Sequence, residues 1–526
     1  MKNKYFDIHK PVFYPAAIII LTTIAVSFIY SKDLVKGFTA FHHFTSEKAG
    51  WFFILAVNAF VAGSLWFAFS KFGKIRLGGK EAKPEFSTFS WFSMLFSAGL
   101  GIGLMFYGVA EPMFHFSNPP VEALDPTTRA SQAMLFTYLH YGLHGWGPYV
   151  IIGLALAFFT YNRGLPLTIS SLFHPLIGDK VNGWMGHVID IVAVIATLFG
   201  LATTLGLGVQ QVGAGLNFLF DIPNTTLTHI LLITGITLVA TTSVVLGLDK
   251  GVRFLSVLNM RLALGFLVLI LLLGPTSKLL DGFVQNVGNY FNSIIRVSTW
   301  TESYTDAAWQ NDWTIFYWAW WISWSPFVGM FIARVSKGRT VQEFVLGVLL
   351  IPSLLVFFWM AVFGGSAIFL EMNGIGNIAE AVNEDLSTAL FVMLEEFPFS
   401  SVTSFIGIIL VTIFFVTSSD SGSLVIDSIT SGGKLDAPVG QRIFWALLEG
   451  AVAASLLFAG GLKALQSAVI SAGLPFAVVI LVVIFSLAKV MNNELDEEKR
   501  EAEKKEREAY ADYVKRLLKG NQNENK

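Results

Sequence analysis

Long apolar runs recur along the whole chain, and they constrain the fold more than any other feature of the sequence. A helix that crosses about 30 Å of hydrocarbon, rising 1.5 Å per residue, needs roughly 20 mostly apolar residues. About twelve runs meet this hydropathy criterion, near residues 12–31, 51–70, 88–111, 132–160, 188–214, 228–248, 254–274, 308–335, 343–370, 401–430, 441–462 and 468–490. The sequence therefore predicts an all-α integral membrane protein with about twelve transmembrane helices.

Composition supports this class and excludes others. Of the 526 residues, 54% are hydrophobic and 14% are charged, whereas soluble chains carry about a quarter charged residues. The formal net charge is −2, and without a basic stripe this argues against a nucleic-acid partner. The chain has no cysteine, so disulfides and thiol chemistry are excluded. The first apolar run lacks a small-residue cleavage site, which predicts a retained helix rather than a signal peptide.

The loops differ in their content of Lys and Arg. Cations cluster before the first span at residues 2–10, in the second loop at residues 71–83, and in later even-numbered loops. The opposite-side segment from Glu371 to Glu396 contains no Lys or Arg. The positive-inside rule then predicts a multi-pass cell-membrane protein with both termini in the cytoplasm.

The runs suggest a division of the chain into segments. Residues 279–299 form an amphipathic pattern too polar to cross a bilayer, so we expect a helix on the outer surface. The last residues are dense in Glu, Lys and Arg at helical spacing and predict a solvated helix. The predicted segments are a short cytoplasmic N-terminal tail (1–11), two peripheral helices (12–87), a first five-helix unit (88–274), the external amphipathic helix and loop (275–307), a second, inverted five-helix unit (308–490), and a charged cytoplasmic tail (491–526).

A glycine-rich stretch, SAGLGIG, interrupts the third span with Gly99, Gly101 and Gly103. Such glycines often permit close helix packing. They also permit an unwound backbone, which is tolerated in the membrane only where it lines a cavity or is buried. The eighth span contains Pro326 and Gly329, so two spans in corresponding positions are predicted to be broken. Paired broken helices indicate a transporter binding site between inverted repeats, here spans three to seven and eight to twelve.

The eighth span also carries a cluster of indoles in the segment WAWWISWSPFVG, with Trp320, Trp321 and Trp324 on neighbouring helical faces. Aromatic packing explains most single membrane tryptophans. A cluster beside a helix break favours cation–π binding, worth about 2 kcal/mol per desolvated contact. The cation that suits such rings best is a quaternary ammonium, because it has no N–H to donate. The fourth span carries a second aromatic cluster in the segment YGLHGWGPY, where His144 is interpreted as structural.

Three segments resemble the betaine/carnitine/choline transporter family: SAGLGIGLMFYGVAEP (97–112), WWISWSPFVGMFIARVSKGR (320–339) and FFVTSSDSGS (414–423). The resemblance implies the leucine-transporter fold, a homotrimer, and uptake of a trimethylammonium compatible solute. It also implies an aromatic cage around the solute at Tyr141, Trp146, Tyr149 and Trp321, with Trp324 on its cytoplasmic side. Tyr141 departs from the family, in which well-known members have Trp.

The tenth span contains a cluster of hydroxyls. Isolated membrane hydroxyls usually bond to their own helix, but a cluster of hard oxygen ligands suits a small monovalent cation. The resemblance implies a co-transported sodium ion bound by carbonyls of Ser97, Leu100 and Phe414 and hydroxyls of Thr417 and Ser418. In a second sodium site of the family, Thr197 matches one of two threonines, whereas Leu201 replaces the other.

Three further residues are candidates for coupling or gating. Asp420 is an intramembrane carboxylate, although it could instead tie the tenth helix to a neighbour. Glu111, at the predicted end of the third span, is either a gate or a helix-end partner. Arg334 is either a gating ion-pair partner or a positive-inside anchor.

Together these features predict a secondary active transporter, sodium-coupled, that imports a quaternary ammonium solute, with glycine betaine first. Gly103 stands where proton-coupled relatives carry a carboxylate, and the fifth span has no Lys or Arg where exchangers place a basic group. A proton-coupled choline or carnitine transporter and a substrate/product antiporter are the alternatives. A channel would need a continuous polar pore, and no catalytic motif indicates an enzyme.

Overall fold

The computed structural model describes residues 6–99, 101–123, 125–246, 253–305, 308–434 and 438–524, and this part of the chain is helical without a β-strand. A single bridge pairs Arg76 with Thr340. The α-helices are α1 Lys10–Ile29, α2 Ser31–Phe69, α3 Thr88–Gly99, α4 Ile102–Ser117, α5 Pro126–Tyr141, α6 Leu143–Arg163, α7 His174–Ile177, α8 Trp184–Phe220, α9 Thr226–Leu246, α10 Arg253–Leu273, α11 Thr276–Ser298, α12 Ala308–Gln310, α13 Phe316–Val335, α14 Val341–Met372, α15 Ile378–Glu384, α16 Ala389–Glu395, α17 Ser400–Thr430 and α18 Val439–Glu524. Short 3₁₀ helices cover Ser170–Phe173, Gly178–Asn182 and Leu386–Thr388, and a π-helix covers Asn311–Ile315.

Eight helices within the described residues are long and apolar enough to cross a membrane. The count becomes nine if α10 and α11, which meet at a bend of 111°, are one span. The two last predicted spans both lie in α18, on either side of a kink at Gly460 and Gly461. Gly461 has φ 63°, in the left-handed region that favours glycine. The chain is thus a multi-pass membrane protein, while the count of twelve spans stays a prediction.

The third predicted span is broken where the glycines lie. Helix α3 ends at Gly99, and α4 begins at Ile102 after Gly101, whose backbone is extended with φ −149° and ψ −177°. The amide of Leu104 donates to the Gly101 carbonyl at 3.1 Å and starts the new helix. The predicted break is therefore confirmed.

The fourth predicted span contains a bend that sequence analysis did not foresee. Gly142 separates α5 from α6, with φ −85° and ψ −145°. A Cβ atom there would lie 2.7 Å from the Tyr290 hydroxyl and from Phe357, so only glycine fits. The Tyr290 hydroxyl accepts the freed amide of Leu143 at 3.1 Å.

The eighth predicted span differs from expectation. Helix α13 runs through Pro326 and Gly329 without interruption, so the prediction of a break at these residues is wrong. Its irregularity lies upstream, in the π-helix Asn311–Ile315. Gly329 instead serves close packing, because a Cβ atom there would lie 3.0 Å from the backbone nitrogen of Gly153 on α6.

The amphipathic surface helix and the charged tail are both present as helices. Phe283 and Tyr290 of α11 face inward, and each packs against a phenylalanine of α14. The tail continues α18 as an exposed helix. Its first charged turn is paired with the bundle, since Arg163 contacts Glu494 at 3.1 Å and Glu497 at 2.8 Å.

Two helix starts show how the polar loops are fixed. Thr340 and Glu343 form a capping box at the start of α14, with each side chain bonded to the other residue's amide. Asp125 caps α5 by accepting from the Thr128 amide at 2.9 Å. Hydrogen bonds from Thr128 hold the pKa of the exposed Asp125 carboxyl below its usual value.

Candidate functional site

A cavity lies beside the break between α3 and α4, and most of the side chains that line it are aromatic. Helices α4, α5, α6, α13 and α14 contribute to it. Its lining residues are Gly101, Gly103, Leu104, Tyr141, Gly145, Trp146, Tyr149, Trp320, Trp321, Trp324 and Val356. The structure thus brings together every predicted cage residue around one space. Gly99 is the last residue of α3.

The rings of the cavity are arranged around Trp321. Trp320 stacks on it with ring centroids 4.8 Å apart and planes at 12°. Tyr141 and Tyr149 meet it edge-on, at 5.5 Å and 6.4 Å. Trp146 stands at 86° to Tyr149. Faces and edges therefore alternate around the space, and the faces carry the negative quadrupole that binds cations.

Hydrogen bonds fix two of the indoles. The Trp321 Nε1–H donates to the His140 carbonyl at 2.9 Å, and the Trp320 Nε1–H donates to the Thr204 hydroxyl at 3.2 Å. By contrast, Trp324 Nε1 and the Tyr149 hydroxyl are buried and have no hydrogen-bond partner among the described residues. Buried polar groups are nearly always satisfied, and both residues line the cavity, so these two atoms are candidate donors to a ligand.

Glycine permits the close approach of the walls. A Cβ atom at Gly103 would lie 3.2 Å from the edge of Trp320. One at Gly145 would lie 2.8 Å from the His140 carbonyl and 3.2 Å from Trp321 Nε1. The bend of the fourth span, together with these glycines, brings α5 and α6 against α13.

A buried polar network adjoins the cavity and is centred on Glu111. The Glu111 carboxylate contacts His140 Nδ1 at 2.6 Å and His115 Nε2 at 3.3 Å, and it accepts a hydrogen bond from the Tyr317 hydroxyl. Glu111 lies inside α4, not at a helix end. The helix-end interpretation of Glu111 is therefore wrong, because α4 continues to Ser117 through Pro112.

The network reaches the cavity wall through two tyrosines. The Tyr141 hydroxyl lies 3.2 Å from that of Tyr317, and it donates to the Gly103 carbonyl at 3.1 Å. Tyr141 is the position where the chain departs from the family pattern. Its hydroxyl connects the cavity, the network and the first turn of α4.

The predicted sodium ligands can be placed only in part. Leu100 lies outside the described residues, and Ser97 lies in α3. On α17 the Thr417 hydroxyl bonds to the carbonyls of Ile413 and Phe414, at 3.1 Å and 3.0 Å. Ser418 follows it and is partly buried. The sodium assignment stays a prediction.

Thr197 and Arg334 lie in different surroundings, the first buried and the second exposed. Thr197 is buried in α8, where its hydroxyl bonds back to the Ala193 carbonyl at 2.8 Å. Arg334 is exposed at the end of α13, and the Tyr161 hydroxyl donates to its carbonyl at 3.3 Å. Its guanidinium forms no ion pair within the described part of the chain.

Asp420 connects three helices through a second buried cluster. Its carboxylate accepts from the Ser243 hydroxyl of α9, while the neighbouring Ser419 donates to Glu449 of α18 at 3.0 Å. One oxygen of each carboxylate has no partner among the described residues. The contact with Ser243 agrees with the expectation that Asp420 ties the tenth span to a neighbour.

Sequence reasoning missed several residues of these clusters. His140, Tyr317 and Glu449 were not singled out, although they lie in predicted spans, and His115 was missed because the predicted third span ends at residue 111. The signal was available for the ionisable ones, because an ionisable residue within a span is a functional candidate. His144, in contrast, contacts Asn58 at 3.2 Å, as expected for a structural histidine.

A membrane-spanning helical chain with an aromatic cavity at a broken helix has the features of a secondary transporter. Residues 11–496 match the model of the BCCT, betaine/carnitine/choline family transporter. The chain belongs to this family, and it is a transporter rather than an enzyme. The resemblance inferred from the three motifs is thus confirmed.

Several curated proteins are similar to the chain over most of its length. A glycine betaine/proline/choline transporter of Vibrio parahaemolyticus is 46% identical over 93% of this chain and 91% of its own. Glycine betaine transporter 1 of the same organism is 47% identical over 93% and 95%. The glycine betaine transporter OpuD of Bacillus subtilis is 44% identical over 88% and 90%.

Proposed function

We propose that the protein is a secondary active transporter that imports a quaternary ammonium compatible solute, glycine betaine first, in symport with sodium. The observation that carries this proposal is the aromatic cavity at the break between α3 and α4. Its lining contains six Tyr and Trp rings and no charged side chain among the described residues. A cation with N–H groups would lose hydrogen bonds in such a space, whereas a trimethylammonium group has none to lose.

The site also contains hydrogen-bond donors that could bind the other end of the solute, its carboxylate. Tyr149 and Trp324 each present a buried donor without a protein partner. A zwitterionic solute with a carboxylate would accept from them, and choline would offer only a hydroxyl. This difference favours glycine betaine over choline. The names of the three relatives described above all include glycine betaine, which supports the same order.

Sodium is the proposed coupling ion. Hydroxyls of Thr417 and Ser418 and the Phe414 carbonyl would contribute from α17, and carbonyls of Ser97 and Leu100 from the break after α3. Oxygen ligands without formal charge suit a small monovalent cation. Gly103 supports sodium over a proton, because proton-coupled members of the family carry a carboxylate at this place.

The transport cycle would follow from the two five-helix units. Sodium would stabilise the outward-open site, the solute would occupy the cage, and the units would rock against each other to release both inside. The proposal includes twelve spans, cytoplasmic termini and a homotrimer. Exposed apolar side chains on the outer face of α11 support the trimer, and they include Val284, Phe291 and Ile295.

The decisive experiment measures accumulation in proteoliposomes. Labelled glycine betaine, choline and carnitine are offered separately, with either a sodium or a proton gradient imposed. We expect concentrative uptake of glycine betaine with sodium alone. Full accumulation with a proton gradient alone would overturn sodium coupling. Uptake that requires preloaded solute would indicate an antiporter, and equilibration without accumulation would indicate a channel.

A further inference from the structure

The carboxyl group of Glu111 is buried without a basic partner that is permanently charged. Its side chain is fully inaccessible, as are those of His115 and His140. Among the described residues, no Lys or Arg pairs with it. A lone buried negative charge is costly in a membrane, and it is relieved when a cation or a proton binds.

The distances favour a hydrogen-bonded cluster over a metal site. His140 Nδ1 and a Glu111 oxygen are 2.6 Å apart. Ligands about 2.1 Å from a tetrahedral metal lie roughly 3.4 Å from each other. A separation of 2.6 Å is shorter than this and fits a hydrogen bond between the two atoms.

The hydrogens of the cluster can be counted when Glu111 is ionised. Its carboxylate then accepts from His140, from His115 and from the Tyr317 hydroxyl. Tyr141 has a single hydrogen, which it divides between Tyr317 at 3.2 Å and the Gly103 carbonyl at 3.1 Å. His140 Nε2 accepts from Thr314 at 2.9 Å, which suits a neutral ring that donates from Nδ1.

A proton on Glu111 reverses the donor–acceptor direction of the hydrogen bonds that run from Glu111 through Tyr317 to Tyr141. The carboxylic acid donates to Tyr317, whose hydrogen turns to the Tyr141 oxygen. Tyr141 then gives its hydrogen wholly to the Gly103 carbonyl. A proton bound at Glu111 would thus strengthen the hydrogen bond at the break of the third span and remove the negative charge behind the cavity wall.

We propose that Glu111, His115, His140 and Tyr317 form a proton-binding site that is linked to the solute cage through the Tyr317–Tyr141–Gly103 hydrogen bonds. The inference rests on the proposed solute function. The ionised Glu111 carboxylate stabilises both a bound proton and the ammonium group of a bound solute. Because they compete for it, the solute binds more weakly when the proton is bound, and solute binding releases protons by linkage.

The ionisable groups around Glu111 come from the three helices that hold the network. Tyr107 and His115 belong to α4, His140 and Tyr141 to α5, and Tyr317 to α13. Tyr107 lies one turn before Glu111 and packs against Tyr317 with ring centroids 5.5 Å apart. A phenol is protonated at neutral pH, so the exchangeable proton belongs to the carboxyl group and its two imidazoles.

The test measures glycine betaine binding to the purified full-length protein at saturating sodium, by titration calorimetry at several pH values. As the pH falls from about 8.5 to about 5.5, we expect the Kd to rise roughly tenfold. Calorimetry in buffers of different ionisation enthalpy should report proton release upon binding near the midpoint.

Three variants separate the site from general effects of pH. Glu111→Gln should bind glycine betaine with a Kd that no longer depends on pH. Tyr317→Phe removes one donor to the ionised carboxylate, so the midpoint should move to higher pH by about one unit. This variant keeps the test decisive if Glu111→Gln does not assemble. Glu506→Gln, on the exposed tail helix, should retain the wild-type curve.

Each possible result of these measurements supports or overturns the proton-binding site. A Kd that is constant with pH in the wild type, or an unshifted midpoint in Tyr317→Phe, would overturn the proton site and leave the solute cage intact. Failure of the wild type to bind any onium solute at every pH would overturn both proposals. Retained pH dependence in Glu111→Gln would place the proton elsewhere.

Discussion

The indole of Trp321 meets the ring of Tyr141 at 68°, with their centroids 5.5 Å apart. The two residues come from different halves of the predicted repeat, Tyr141 from the end of α5 and Trp321 from α13. The Trp321 Nε1–H is tied to the carbonyl of His140, the residue that precedes Tyr141. This contact sets the position of one half of the cavity wall against the other.

Removal of the Trp321 ring should abolish transport. In the Trp321→Ala variant the cage loses its central face, and the loss of about 2 kcal/mol of cation–π energy corresponds to roughly thirtyfold weaker solute binding. Uptake and binding of labelled glycine betaine measure this effect. Trp184→Ala, which truncates a largely exposed indole at the start of α8, should leave both unchanged. Unchanged affinity in the Trp321 variant would contradict the cage.

A methyl group at Gly142 should destabilise the protein. The added Cβ would lie 2.7 Å from the Tyr290 hydroxyl and from Phe357, and such overpacking costs about 1–3 kcal/mol. Unfolding in mixed micelles would report the loss for Gly142→Ala. Gly235→Ala is the matched control, because its Cβ on α9 meets nothing within 4 Å. Equal stability of the two variants would show that the bend at Gly142 tolerates a side chain.

Much of the membrane organisation could be predicted from the sequence, because bilayer thickness fixes the length of an apolar run. The break after Gly99 could also be predicted, since three closely spaced glycines lower helix stability. The indoles and tyrosines of the two aromatic segments line one cavity, and it was the resemblance of the motifs to a known family that placed them together.

Other features depend on tertiary contacts that no local pattern encodes. Pro326 resembles a helix breaker, yet α13 continues past it within a bundle that packs on both sides. The bend at Gly142 depends on Tyr290, which lies far along the chain and accepts the Leu143 amide. The cluster at Glu111 joins α4, α5 and α13, so its members become neighbours only after folding.

The sodium proposal predicts a specific effect at Thr417. Thr417→Val keeps the side-chain shape and removes the hydroxyl, so the sodium concentration for half-maximal uptake should rise about tenfold, whereas the maximal rate changes less. Sodium titration of uptake in proteoliposomes gives both quantities. Thr412→Val, on the same helix, also removes a hydroxyl that bonds back to its own helix, at 2.8 Å to Ile408. A shift of equal size in both variants would count against a sodium ligand at Thr417.

Ser243 should stabilise the bundle through Asp420. The Ser243 hydroxyl donates to a buried carboxylate on α17, and hydrogen bonds to charged groups contribute about 1.5–3 kcal/mol. In Ser243→Ala the Asp420 carboxylate loses this donor, and its other oxygen already lacks a partner among the described residues. The free energy of unfolding in mixed micelles should therefore fall by about 2 kcal/mol.

The adjacent residue supplies the control for this prediction. Thr242→Ala removes an exposed hydroxyl that bonds only to its own helix, at 2.8 Å to Leu238, and should change stability by less than about 0.5 kcal/mol. The double variant Ser243→Ala with Asp420→Asn should recover part of the loss, because an amide is less costly to bury than a carboxylate. Additive losses in the double variant would show that Ser243 acts independently of Asp420.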